Sequence, residues 1–236
     1  MLYALRYYHR YYLRSYRFAA PLTVCLGFIF FLYGIVPNPV MDSYAVTATL
    51  MFLIAAWLCF GFIDLEDETQ QILTFLHSGK IMRLYALKLL YLWMFSLPLS
   101  VFAIVYPIIF DKFDHAPTVA QVLTAFLCHQ IAVWLGIAVA AWFNRRLFRS
   151  GMVAFLVLCL VLTAALGGQG IVNRTSPALG WLIPPFRMVL HLLSDRPQAE
   201  SSPGLAELLY PILYIILLVA LFLYIMQRRR FESRAQ

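Results

Sequence analysis

The sequence predicts an all-α, polytopic integral membrane protein, and three observations carry that prediction. Hydrophobic residues make up 63% of the chain and charged residues only 12%, with a mean hydropathy of +0.79; globular proteins average roughly 45–50% apolar and about 25% charged. The apolar residues also come in long runs, and a hydrocarbon core about 30 Å thick needs about 20 such residues per helix. Within hydrocarbon the backbone must satisfy its own polar groups, so runs of this kind have to be helices. Finally, the basic residues gather in the segments that flank these runs on one side.

Six spans follow from the pattern, at 19–36, 43–63, 84–110, 118–143, 151–172 and 205–226. Together with their connections they fill residues 1–236 as a single transmembrane domain. The first run does not read as a signal peptide, because no small-residue cleavage site follows it and a second run begins almost at once. With the N-terminus inside, the inner segments hold Arg6, Arg10, Arg14, Arg17, Lys80, Arg83, Lys88, Arg145, Arg146, Arg149, Arg228, Arg229, Arg230 and Arg234. That is fourteen of eighteen basic residues; Lys112, Arg174, Arg187 and Arg196 fall outside. Both termini are therefore expected on the cytoplasmic side. The net charge of +7 is mostly topology and contact with anionic lipid. Its division among four membrane-flanking segments argues against nucleic acid as a partner.

Residues 1–18 place Arg6, Arg10, Arg14 and Arg17 at spacings of four, four and three, which form one stripe on a helix. Leu2, Leu5, Tyr8, Tyr12, Leu13 and Tyr16 occupy other faces. The segment reads either as an amphipathic interfacial helix that also touches a cytoplasmic partner, or as a charged, aromatic flank of the first span. The first outer connection, Pro37 to Asp42, is short, so spans one and two form a tight hairpin.

Between spans two and three lies the most informative stretch, 64–83. Four of the eleven acidic residues, Asp64, Glu66, Asp67 and Glu68, fall within five positions. Asp67 is placed to cap a short helix through Thr69 and Gln70. Ile72, Leu73, Phe75 and Leu76 give that helix an apolar side, and Gly79 followed by Lys80 and Arg83 ends it. A helix this short has to pack on something to form. Lys88 lies near enough to the inner surface to snorkel.

Span three contains Pro98 and Pro107, which favour kinks. Span four holds His129 and Gln130 near its middle, and an intramembrane polar pair is either an interhelical hydrogen bond or a contact on a translocation path. Asn144 through Arg149 forms a short inner loop. Span five runs into Gly167 to Gly170, a helix-ending stretch. Residues 180–193 are apolar, broken by Pro184 and Pro185, and too short to span, which predicts a re-entrant or interfacial hairpin near the outer surface. Cys25, Cys59, Cys128 and Cys159 all lie within spans, with no metal or disulfide spacing, and are expected as small packing residues.

Catalytic signatures are missing from the sequence. Ser78-Gly79-Lys80 is not a phosphate loop, because Thr74 stands where the first Gly is needed and Ile81 where Ser or Thr is needed. Neither GxSxG nor HExxH occurs. The chain is therefore expected to be no enzyme by itself and to carry no cofactor or metal.

This arrangement resembles the six-helix permease subunits of type-two ATP-binding-cassette exporters. The matching features are the basic N-terminal helix, a coupling helix between spans two and three, and a proline-broken re-entrant segment between spans five and six. Within the coupling segment the resemblance rests on Glu66 and Glu68, Thr69, Leu73 and Leu76, Ser78, Lys80, Arg83 and Lys88-Leu89-Leu90. Glu68 stands in place of the family's usual Gly, and the Pro expected after the Leu-rich turn is absent. The resemblance implies a homodimer in a bacterial plasma membrane that binds two copies of a cytoplasmic ATPase, with ATP and Mg held by that partner. Docking would then fall to Arg6, Arg10, Arg14, Glu66, Asp67, Glu68, Thr69, Phe75, Leu76 and Lys80. Spans two and five would line the path, with His129 and Gln130 as candidate path residues. Trp181, Pro184, Pro185 and Phe186 would form an outer gate. An aromatic-rich chain with few intramembrane charges suits an amphipathic or hydrophobic cargo such as a peptide, an antibiotic or a lipid-like molecule. Two alternatives are a haem-handling cytochrome-maturation exporter subunit, and a non-transporting membrane scaffold or sensor that recruits a soluble partner through 64–83.

Overall fold

The computed structural model describes residues 2–67, 69–71, 74, 81–168, 183–194 and 205–228. Eight helices are resolved among them: α1 (Leu2–Ser15), α2 (Ala19–Leu32), α3 (Val40–Ile63), α4 (Ile81–Ile109), α5 (Val119–Ala140), α6 (Gly151–Leu166), α7 (Phe186–Leu192) and α8 (Leu205–Arg228). Residues 69–71 and 74 are also helical.

Of these, α3, α4, α5 and α8 are each long and apolar enough to cross a membrane, and α1 with α2 makes a fifth candidate bent by 80°. The six full-length spans read from the sequence are thus four or five among the described residues. The reason lies in helix length. At about 1.5 Å per residue, the 14 residues of α2 and the 16 of α6 reach only about 21 and 24 Å, short of a core about 30 Å thick. Span one stops at Leu32, where Tyr33 and Gly34 donate their amides back to Ile29 and Phe31 and close the last turn. Span five ends at Gly167, and residues 169–172 of that reading lie outside the described residues. Elsewhere the edges shift by a few positions. Pro39 leads into α3 with an extended ψ of 136°, so the helix starts three residues early. Thr118 and Gln121 close a capping box that starts α5.

Three helices make the core. Tyr44 donates to the Ile104 carbonyl at 3.4 Å, and Lys88 to the Ile63 carbonyl at 3.1 Å, so α3 and α4 run antiparallel. Thr47 meets His129 and Cys59 meets the Ile137 carbonyl, so α3 and α5 run in the same direction. Their backbones come into close contact at Gly136, where a Cβ would land on the Phe52 carbonyl oxygen and crowd the Ala56 nitrogen. Only a residue without a side chain fits such a crossing. The short α7 seats Phe186 on Phe52 in a stacked pair with centroids 4.6 Å apart. Phe52 is midway along α3, so α7 reaches well into the bundle, with Pro184, Pro185 and Phe186 all buried.

The two ends of the bundle differ in charge. One gathers the end of α3, the start of α4, the 144–149 loop and the end of α8, where Phe222 packs on Tyr85 and Trp142. This end also holds α1, whose Tyr8 and Tyr12 are fully buried against Phe62 and Tyr91. The opposite end is closed by Asn38, which donates to the Lys112 carbonyl and accepts from the Asp114 amide. Around the core, α2, α6 and α8 leave apolar side chains outward, among them Phe31, Leu160 and Leu217 at 65–78% exposure. That is how a lipid-facing surface reads.

Gly136 provides a direct test. Gly136→Val should lower the unfolding midpoint of the detergent-purified protein by about 2 to 12 °C, since overpacking costs about 1–3 kcal/mol and each kcal/mol is worth about 2–4 °C at this size. Gly27→Ala, inside α2 and with nothing within 4 Å of the new methyl, should not lower it, since Ala is favoured over Gly in a helix interior.

Candidate functional site

The polar residues of the basic end converge on one buried ion pair. Lys88 sits two turns into α4, about 10 Å from its start at about 1.5 Å per residue. Its Nζ lies 2.8 Å from Glu66 Oε2, with both side chains almost wholly buried. The ammonium also donates to the Ile63 carbonyl at 3.1 Å, one of the carbonyls left free at the C-terminus of α3, where the helix dipole is negative. The snorkelling expected of Lys88 is therefore overturned. A carboxylate and a helix terminus inside the protein meet its charge, and its tip has no need of water. Tyr8 and Tyr85 place their rings 6.0 and 5.6 Å from the same nitrogen, within the range of a cation–π contact.

Glu66 extends the network. Its Oε1 accepts from the Thr74 hydroxyl at 3.3 Å, and its backbone carbonyl accepts from Gln71 Nε2 at 2.9 Å. Gln71 Oε1 in turn accepts from Arg146 Nη2 at 3.0 Å, and the Arg146 guanidinium lies 5.5 Å over the Tyr85 ring. Asp64 accepts from the Arg145 amide at 2.7 Å. Burial pushes the Asp64 carboxyl above its ordinary range, while the Arg145 amide and the nearby Lys88, Arg145 and Arg146 charges pull it back. The Tyr7 hydroxyl is pushed up to about 12, first by burial and then by the Glu66 carboxylate. Asn144, itself buried, donates to the Ala141 carbonyl and accepts from the Arg146 and Leu147 amides. It builds the turn that presents Arg145 and Arg146 to the acidic segment. The 64–74 segment, α3, α4, the 144–149 loop and α1 thus share one set of contacts.

The residues singled out from the sequence divide accordingly. Glu66 points inward to Lys88 instead of offering its carboxylate to a partner. Asp67 and Thr69 are exposed at the same end, and the Gln71 amide bonds back to the Asp67 carbonyl. Arg6, Arg10 and Arg14 are exposed on α1. Glu68, Phe75, Leu76, Lys80 and Trp181 lie outside the described residues. His129 is fully buried; its Nδ1 is 2.7 Å from the Ala125 carbonyl and its Nε2 is 3.0 Å from the Thr47 hydroxyl. A carbonyl can only accept, so Nδ1 carries a proton, and both ring nitrogens are engaged within the protein. Gln130 faces elsewhere and accepts from Trp93 Nε1 at 3.0 Å. The pair is therefore two separate interhelical links, His129 to α3 and Gln130 to α4. Among the described residues no group of three metal-ligating side chains comes together.

No protein-family model, curated protein or solved structure matches the chain. Sequence reading missed Lys88, Gln71, Asn144 and Arg146 as members of the network. The available signal was a lysine inside an apolar run facing an acidic cluster across a single connection, since a buried charge needs a counter-charge.

The network holds these elements together. Each buried ion costs several kcal/mol to desolvate, and the pair recovers this only when its geometry is complete. Lys88→Met alone should destabilise the protein by about 3–5 kcal/mol through the stranded carboxylate. Adding Glu66→Gln should recover most of that loss, as read from unfolding midpoints in detergent. Equal midpoints for the single and double variants would mean that the two side chains are not coupled.

Proposed function

We propose that this chain is the membrane-spanning permease subunit of an ATP-driven exporter, similar to the type-two ATP-binding-cassette permeases, with its basic end in the cytoplasm. The observation that carries the reading is the anchorage of the 64–74 segment. It is tied by the Glu66–Lys88 pair to α4, by its chain to α3 and by Gln71 to the 144–149 loop, while Asp67 and Thr69 remain exposed. A segment that passes a partner's movement to two membrane helices has to be coupled to both, and the buried ion pair supplies that coupling.

In this proposal a cytoplasmic ATPase, which carries ATP and Mg, engages the exposed side of that segment. Two copies of the permease then pair, each with its own ATPase. Closure of the ATPases moves the inner ends of α3 and α4 together, because the ion pair leaves them no independent path. The midpoint of α3 is where Gly136 and Phe186 approach it. Movement at the inner end is therefore felt at the seat of α7, which suits Pro184, Pro185 and Phe186 to the role of an outer gate. The cargo that fits is amphipathic or hydrophobic, and the site of action is a bacterial plasma membrane. His129, with both nitrogens engaged, serves the packing of α3 on α5 in this scheme and not the path.

The experiment is affinity purification of the tagged chain from the membranes of its own cells. An ATPase should co-purify, and its hydrolysis should rise when an amphipathic peptide is added. Asp67→Lys should lower the recovered ATPase several-fold at an unchanged amount of permease in the membrane. A partner that hydrolyses no ATP would instead support the scaffold reading, and haem absorbance in the complex would support the haem-handling one.

A further inference from the structure

One strongly charged surface has no ion-pair partner among the described residues. The helix α1 is held by the face that carries Tyr8 and Tyr12, and the opposite face presents Arg6, Arg10 and Arg14, all exposed. Among the described residues none of the three lies within ion-pair distance of a carboxylate. Of the described acidic groups at this end, Glu66 is closed on Lys88 and Asp64 on the Arg145 amide, and the exposed Asp67 forms no ion pair with the three arginines. Interleaved with the arginines are Tyr3 at 86% exposure and the less exposed Tyr7 and Leu13. The axis of α1 turns 80° from that of α2, so when α2 enters the bilayer α1 lies along its surface. Guanidinium groups alternating with tyrosine rings on a surface-parallel helix suit a layer of phosphates above acyl chains. The inner leaflet of a bacterial membrane supplies such phosphates with net negative charge.

The same helix covers the ion pair. The Tyr8 ring stands 6.0 Å from Lys88 Nζ, and Tyr12 closes the edge against Phe62 and Tyr91. We propose that the arginine face of α1 binds the headgroups of anionic phospholipids, and that this binding holds α1 across the Lys88–Glu66 pair. Anionic lipid then becomes a structural partner of the basic end and not only its solvent. A phosphate group accepts paired hydrogen bonds from a guanidinium, and three such groups one turn apart engage neighbouring headgroups. The inference stands apart from the proposed ATPase, since it needs no second protein.

The test uses the full-length chain reconstituted in nanodiscs of pure POPC, and of POPC and POPG in equal parts. The wild type should unfold at a higher temperature in the mixed discs. Arg6→Gln, Arg10→Gln and Arg14→Gln together should abolish that increment while leaving the midpoint in pure POPC unchanged, which also verifies that the variant folds. Lys112→Gln, at the opposite end of the bundle, should retain it. The proposal is overturned if POPG gives the wild type no increment, if the triple variant keeps the increment, or if Lys112→Gln removes it as completely as the triple variant does.

Discussion

The structure depends on a single buried charge being met. Lys88 is held inside an apolar helix by Glu66 at 2.8 Å and by the Ile63 carbonyl at 3.1 Å. Any rearrangement that parts them strands an ion in a low-dielectric setting. Glu66 therefore cannot drift away from α4, nor can the segment that carries it. Asp64 and Gln71 then fasten the same segment to the 144–149 loop. Two connections that would be independent in a simple helical bundle become one body, with Tyr8 of α1 laid over it.

A second constraint acts at mid-depth, of a different kind. Gly136 lets α3 and α5 touch backbone to backbone, and the Thr47–His129 hydrogen bond fixes their register. Packing at such a crossing is sensitive to one methyl group. The stacked Phe52 and Phe186 rings bring α7 against that crossing. Charge at the basic end and close contact in the middle together make α3 the element on which both the acidic segment and α7 are seated. The helices around it, α2, α6 and α8, expose apolar side chains.

Much of the fold was legible in the sequence, because bilayer thickness dictates the length of an apolar run. The helices α3, α4, α5 and α8 follow directly from it, and the arginine spacing of residues 6–17 announces α1. What periodicity does not register is where a helix stops short. Leu32 to Val36 is as apolar as what precedes it, yet the chain turns there. The candidate site was legible only in part. The acidic cluster marked the right segment, but an acidic residue beside water and one beside a buried lysine look alike in a sequence. Lys88, near the edge of its run, reads equally as a snorkelling side chain. His129 and Gln130 are adjacent in sequence and looked like one polar pair. On a helix, neighbours point about 100° apart, and these two reach different helices.

The most direct measurement is hydrogen exchange of the nanodisc-embedded protein, wild type against Lys88→Met. If one ion pair binds the basic end into a single body, its loss should raise exchange together in residues 64–71 and in residues 144–149. The opposite end, at Asn38 and 111–114, should be unaffected. Faster exchange confined to residues 64–71, with the 144–149 loop unchanged, would contradict the account.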